Sequence, residues 1–221
     1  MTILKVILIA IAAMLGFSSA DIVVYTSAGY KLTLVNDDIN FQQDTRQRCI
    51  DTFFATMPAM CNRFNNAACS RDVRVTIDPK YDAVAYASGN AIVISANWLR
   101  NNPQDTDVMT HECMHIVQSY PGGAPGWLVE GIADYARWKF GRNNLAANWR
   151  LPDFDRNQHY TNAYRVTARF LAWCEQRYPN IVNQLDGALR SKTYTNNSWN
   201  LFSGGRSVDQ LWLDYSINPN I

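Results

Sequence analysis

The chain has 221 residues, 48% of them hydrophobic and 18% charged, with a formal net charge of +1. That is globular composition, with apolar residues enough for one domain around a sizeable core. No basic arm or patch is present, which excludes nucleic acid as a partner, and the five cysteines form no C-x-x-C pair, which excludes a cysteine zinc cluster.

Residues 1–20 read as a leader. Lys5 is their sole charge, an apolar run spans Val6 to Leu15, and small residues at Ser18 and Ala20 suit cleavage before Asp21. The run is short for a membrane span. The expectation is a secreted chain with no membrane anchor, a single domain over 21–221, acting as a monomer. Loss of the leader removes one Lys and no acid, leaving 19 residues of each sign.

Ile22 to Tyr25 and Lys31 to Val35 read as strands around Ser27-Ala28-Gly29. Phe41 to Phe54 reads as an amphipathic helix ended by Pro58. Val73 to Ile77 alternates like a strand, and Val84 to Tyr86 with Ala91 to Ser95 read as a hairpin across Ser88-Gly89-Asn90. Thr106 is positioned to cap the next helix, which carries His111 and His115. A Gly-rich loop from Gly122 to Gly126 separates it from a helix over Trp127 to Trp138. Gly141 to Asn157 reads as irregular, and Tyr160 to Arg177 as one helix. Pro179 opens another helix reaching Leu189. Ser207-Val208-Asp209-Gln210 has capping-box spacing for a last helix ending at Tyr215. Strands come first and helices after. The fold class is therefore α+β: a mixed, mostly antiparallel sheet packed on the helix with the two histidines, then a helical C-terminal half.

An oxidising compartment favours disulfides. Cys49, Cys61 and Cys69 cluster and supply one bridge between two of them, and Cys113 to Cys174 is a second candidate pair. The odd count leaves at least one free thiol. Asn196-Asn197-Ser198 is a glycosylation sequon.

His111-Glu112-Cys113-Met114-His115 reads H-E-x-x-H. On a helix, positions i and i+4 share a face, so both imidazoles can meet one metal ion, with Glu112 beside them to take a proton from a water at the metal. A catalytic zinc site needs three protein ligands and an open position. Glu130 is the candidate for the third, because the Gly-rich turn lets the following helix lie against the first. Asp134, four residues on, shares the face of Glu130 and can accept the free ring N–H of a ligating histidine. An oxyanion donor is needed opposite Glu112. Tyr164 is the first choice, with His159 and Tyr160 as alternatives. Tyr135 and Trp138 read as packing residues.

These segments resemble the gluzincin metallopeptidases, in which H-E-x-x-H is completed by a glutamate on a following helix. Trp127-Leu128-Val129-Glu130-Gly131-Ile132-Ala133 is similar to their W-L-x-E-G-x-A signature. Three stretches more closely resemble the plant basic secretory proteins and their bacterial and animal relatives, a family of secreted peptidases. They are Ala124 through Tyr135, Tyr164 through Leu171, and Ser207 through Trp212, and Val84-Ala85-Tyr86 fits too. The resemblance implies a zincin-like fold, with His111, His115 and Glu130 as Zn2+ ligands and Glu112 as base. It also implies a mixed sheet whose edge strand, Ala91 to Ser95, lies over the active-site helix and takes an extended peptide. The chain departs from those often basic relatives in being neutral, and its cysteines before Arg71 lie outside the pattern.

The resulting expectation is a secreted zinc peptidase, an endopeptidase, acting on peptide or protein substrates. A non-catalytic secreted defence or binding protein that keeps the zinc fold is the alternative, and a metal-dependent hydrolase of some other bond is a third reading.

Overall fold

Residues 4–7, 21–64 and 66–221 are described by the structure, a computed structural model. Apart from Leu4–Ile7, the expected leader lies outside the described residues.

Among the described residues six strands form one mixed sheet: β1 (Leu4–Ile7), β2 (Asp21–Ser27), β3 (Tyr30–Asn36), β4 (Asp72–Asp78), β5 (Ala85–Ser88) and β6 (Ala91–Ser95), in the spatial order β1-β2-β3-β4-β6-β5. Pairing is parallel between β3 and β4 and between β4 and β6, and antiparallel elsewhere. The β2–β3 turn uses Ala28 and Gly29, both at positive φ, which matches the right-handed twist of the hairpin. In the β5–β6 turn only Gly89 has positive φ, the pattern with glycine at the first central position. The edge strand is β5, not Ala91–Ser95 as the resemblance implied: β6 is enclosed between β4 and β5.

The parallel step from β3 to β4 requires a crossover, which α1 (Gln43–Arg63) provides. The helix runs past Pro58 rather than stopping there. Proline in a helix interior costs about 3 kcal/mol. Continuing buries Met60 completely and Phe64 almost so, and each such side chain contributes about 1.5–3 kcal/mol, so burial outweighs the lost bond. Cys61 near the end of this helix is bonded to Cys69, while Cys49, Cys113 and Cys174 are free and buried. The candidate bridge between Cys113 and Cys174 is not formed.

The remaining helices are α2 (Ala96–Asn101), α3 (Val108–Gln118), α4 (Gly126–Phe140), α5 (Tyr164–Arg177), α6 (Ile181–Arg190), α7 (Asn197–Phe202) and α8 (Val208–Ile217). The architecture is α+β, as expected. Thr106 does not cap α3. Its hydroxyl is buried without a partner, and Asp107 holds the N-cap position. The Asp107 carboxylate instead accepts backbone N–H groups of Arg142 (2.9 Å) and Asn143 (2.5 Å), pinning the loop after α4 to the start of α3. The stretch expected as one helix from Tyr160 divides at Ala163 and Tyr164, both at positive φ, into a short 3-10 turn and α5. At α8 the Ser207–Gln210 capping box is present in both directions (2.9 and 3.2 Å). No described helix is long and apolar enough to cross a membrane.

Candidate metal centre and active-site cleft

Helix α3 lies between α1 and α4, with β5 across it. Ten of its eleven residues are buried, so its site-bearing face is held in the core. At its C-terminus Ser119 adopts the left-handed conformation and its N–H donates to the His115 carbonyl (3.1 Å). The Gly122 to Gly126 segment, with positive φ at Gly122 and Gly123, then turns the chain into α4. At Gly131 of α4, a Cβ would lie 2.2 Å from the Thr167 methyl group of α5, so only glycine permits this approach.

These contacts bring three donor atoms together. His111 Nε2 and His115 Nε2 are 3.1 Å apart, and Glu130 Oε2 lies 3.2 Å from the first and 3.5 Å from the second. A tetrahedral ion with bonds of about 2.05 Å needs ligand–ligand edges of roughly 3.3–3.4 Å. The triangle therefore fits zinc, and the two-nitrogen, one-oxygen donor set suits it. Asp134 Oδ1 is 2.7 Å from His111 Nδ1, and Gln118 Oε1 is 2.8 Å from His115 Nδ1. Each acceptor takes the Nδ1 proton and leaves the Nε2 lone pair aimed into the triangle.

The electrostatics call for a cation in this place. Burial alone would depress the His111 imidazole, but its hydrogen bonds to Asp134 and Glu130 outweigh it and lift the pKa to about 10. Burial would raise the Glu130 carboxyl, yet hydrogen bonds from both imidazoles hold it at about 2. Glu112 is buried, its carboxyl is pushed up by that burial against the pull of both histidines, and its Oε2 has no hydrogen-bond partner.

All these groups line one cleft of about 1120 Å³. Val84 to Ala87 form one wall, and Tyr164 and Arg165 at the start of α5 enter from another. The Tyr164 ring is stacked on that of His111 with centroids 6.3 Å apart, and Tyr164 is half exposed with φ at +49°. A bulky residue rarely adopts that φ. The alternatives do not line the cleft. The Tyr160 hydroxyl donates to Asp209 (2.7 Å), and His159 Nδ1 is 2.8 Å from Thr161 Oγ1. Tyr135 is buried in the core, and Trp138 sits partly exposed beside it with ring centroids 5.9 Å apart.

Residues 18–215 match the family described as a peptidase of plants and bacteria. The chain belongs to that family. This is the family that the resemblance in its sequence implied. Among functionally curated proteins none matches it. Two similar solved structures are M1 zinc metallopeptidase mutants. One, a two-domain enzyme bound to L-arginine, is 15% identical with a TM-score of 0.46, covering 86% of this chain and 45% of its own. The other, from Deinococcus radiodurans and bound to a Tyr-Ser-Ala substrate, is 14% identical with a TM-score of 0.46, covering 99% of this chain and 49% of its own. The chain spans about half the length of either.

Sequence reasoning missed Gln118. Besides facing His115, its amide donates to the Val129 carbonyl of α4 (2.8 Å), so one buried side chain orients a ring and ties the two site helices together. The only signal was its i+3 spacing from His115. Arg137 was also missed: it lines the cleft, pairs with Asp105, and lies over the Trp149 ring at 4.4 Å.

Proposed function

We propose that this peptidase is a secreted, zinc-dependent endopeptidase. The observation that carries the reading is the triangle of His111, His115 and Glu130 donors beside a buried Glu112 oxygen with no partner. His111, His115 and Glu130 would hold zinc, with Asp134 orienting His111. Zinc, when bound, supplies Lewis acidity at the scissile carbonyl and makes water acidic enough to ionise near pH 7. Glu112 accepts the proton of the attacking water and returns it to the leaving nitrogen. Tyr164 donates its hydroxyl to the developing oxyanion.

The strand edge supports a peptide substrate. Ser95 N–H donates to the Val84 carbonyl (3.0 Å), which makes Val84 and Ser95 a hydrogen-bonded pair. In an antiparallel ladder such pairs alternate. Ala85 and Ala87 therefore turn their N–H and C=O groups to the open edge, where an extended chain can add as a further strand. The lining carboxylates support endopeptidase over aminopeptidase action. Asp105 is bound to Arg137 and the Trp98 indole, Asp134 to His111, and Glu130 and Glu112 have the roles above. None is spare to hold a free substrate amine.

The test is cleavage of denatured casein and internally quenched peptides, lost with a chelator and restored by zinc. Glu112→Gln should keep one zinc per chain and lower kcat by about 10²–10⁴. Tyr164→Phe should lower kcat by about 10² with KM little changed. Wild-type turnover in Glu112→Gln would overturn the mechanism, and zinc-loaded protein inert on every peptide would overturn the function. The exported chain should begin at Asp21 on N-terminal sequencing. Retention of the chain inside the cell would remove the secretion proposal, and an intact leader on exported protein would remove the cleavage site.

A further inference from the structure

The cleft contains a cation that the chemistry above does not use. Of the two arginines lining it, Arg137 is buried and neutralised by Asp105. Arg165 is exposed, and its guanidinium makes no hydrogen bond or ion pair with any described residue. It directly follows Tyr164, whose ring lies against that of His111. Among the described residues, the one unmatched positive charge of the cleft is thus carried by the neighbour of a residue whose ring faces that of His111 at 6.3 Å. A cleft with low-dielectric walls strengthens the field of such a charge relative to open surface. The guanidinium is a planar fork that fits a carboxylate with two parallel hydrogen bonds.

We propose that Arg165 binds a carboxylate of the substrate close to the scissile bond, so that peptides carrying a carboxylate there are the preferred substrate class. This rests on the peptidase reading and deepens it. The carboxylate has two sources, an Asp or Glu side chain within the peptide or the free C-terminus of a short one. Either would meet the guanidinium while the main chain lies along Ala85 and Ala87. A lysine at the same subsite would meet like charge and be rejected.

The experiment uses zinc-loaded protein and peptide sets identical except for Glu, Gln or Lys at each of the positions flanking the cleaved bond. Each peptide is made with a free or an amidated C-terminus. At one position kcat/KM for Glu should exceed that for Gln by roughly five- to tenfold, with the ratio shrinking as ionic strength rises. Arg165→Glu should reverse the order in favour of Lys, Arg165→Gln should abolish the preference, and Arg165→Lys should keep part of it. If amidation alone lowers kcat/KM, the terminal carboxylate is the source and the cleavage is that of a carboxypeptidase rather than an endopeptidase. If only the internal Glu matters, the side chain is. The same peptides, fluorescently labelled, are titrated by anisotropy onto zinc-loaded Glu112→Gln protein with and without the Arg165 changes. A carboxylate-dependent Kd without cleavage by wild type would remove the peptidase reading and keep the carboxylate site. Cleavage with equal rates for Glu, Gln and Lys at every position and no effect of amidation, or a carboxylate preference that survives Arg165→Glu, overturns the proposal. So does absence of both cleavage and binding.

Discussion

His111 is held from both sides, by Asp134 at Nδ1 and by Glu130 near Nε2. Its ring position is therefore set by carboxylates on a different helix rather than by its own rotamer preference. Gln118 does the same for His115 from one turn further along α3. Losing such an orienting partner costs about 10–100-fold in metal affinity. Asp134→Asn and Gln118→Ala should each weaken zinc binding by that order in a competitive chelator titration, with helix content unchanged. Repeating the titration at higher pH should give tighter binding, because zinc must displace the proton that His111 holds up to about pH 10 in the metal-free protein. Unchanged affinity in both variants would show that the triangle needs no support from outside. His111, Glu112, His115, Glu130 and Asp134 were legible in the sequence because a helix puts residues three or four apart on one face. Gln118 obeys the same spacing, yet a lone amide carries no metal chemistry by itself. Its role became visible only with the Val129 carbonyl beside it.

Helices α4 and α5 pack closely, and Gly131 meets Thr167 where they touch. A methyl group there would lie 2.2 Å from the Thr167 Cγ2 and 2.6 Å from its Cβ. The Cβ cannot rotate away, so the helices must separate. Overpacking of this kind costs about 1–3 kcal/mol, which for a chain of this size lowers Tm by roughly 2–12 °C. Gly131 follows Glu130, so the displaced helix also carries the carboxylate away from the two imidazoles. Gly131→Ala should lower both Tm and zinc affinity, and Thr167→Ser in the same chain should recover part of the loss. A Gly131→Ala protein that melts and binds zinc like wild type would refute the close approach. Elements with local signals were readable in advance: the capping box at Ser207 and Gln210, the hairpin at Gly89, the alternation of β4. Misreadings occurred where a distant partner decides. Pro58 stays helical because the core covers Met60 and Phe64 beyond it. The order of β5 and β6 across the sheet follows from pairing with β4, about which alternation in either strand says nothing. The six-residue helices α2 and α7 are too short for periodicity to reveal.

At the scale of the molecule, the cleft is tied to the helical half through Tyr120, which lines it just beyond α3. The Tyr120 hydroxyl donates to Asp186 Oδ1 of α6 (2.9 Å), and Asp186 also pairs with Arg190, whose guanidinium donates to the Phe64 carbonyl at the end of α1 (3.1 Å). Asp186 is completely buried. Its burial outweighs the opposing pull of Arg190 and Tyr120 and lifts the carboxyl from 3.8 to about 6. A carboxyl raised on folding binds its proton more tightly in the native state. Its contribution to stability is therefore greatest below the unfolded value of 3.8 and is lost as pH rises through about 6. The swing is about 2–3 kcal/mol. Asp186→Asn keeps an acceptor for Tyr120 but does not titrate. Loss of the Arg190 partner lowers its stability by a pH-independent amount, so the level is uninformative and the slope decides. Urea unfolding of both metal-free proteins from pH 3.5 to 7 should show the Asn variant gaining on wild type by that swing between pH 4 and 6. A difference that stays flat across this window would mean that Arg190 fully compensates the buried charge. The link between cleft and helical half would then be an ordinary ion pair rather than a strained one.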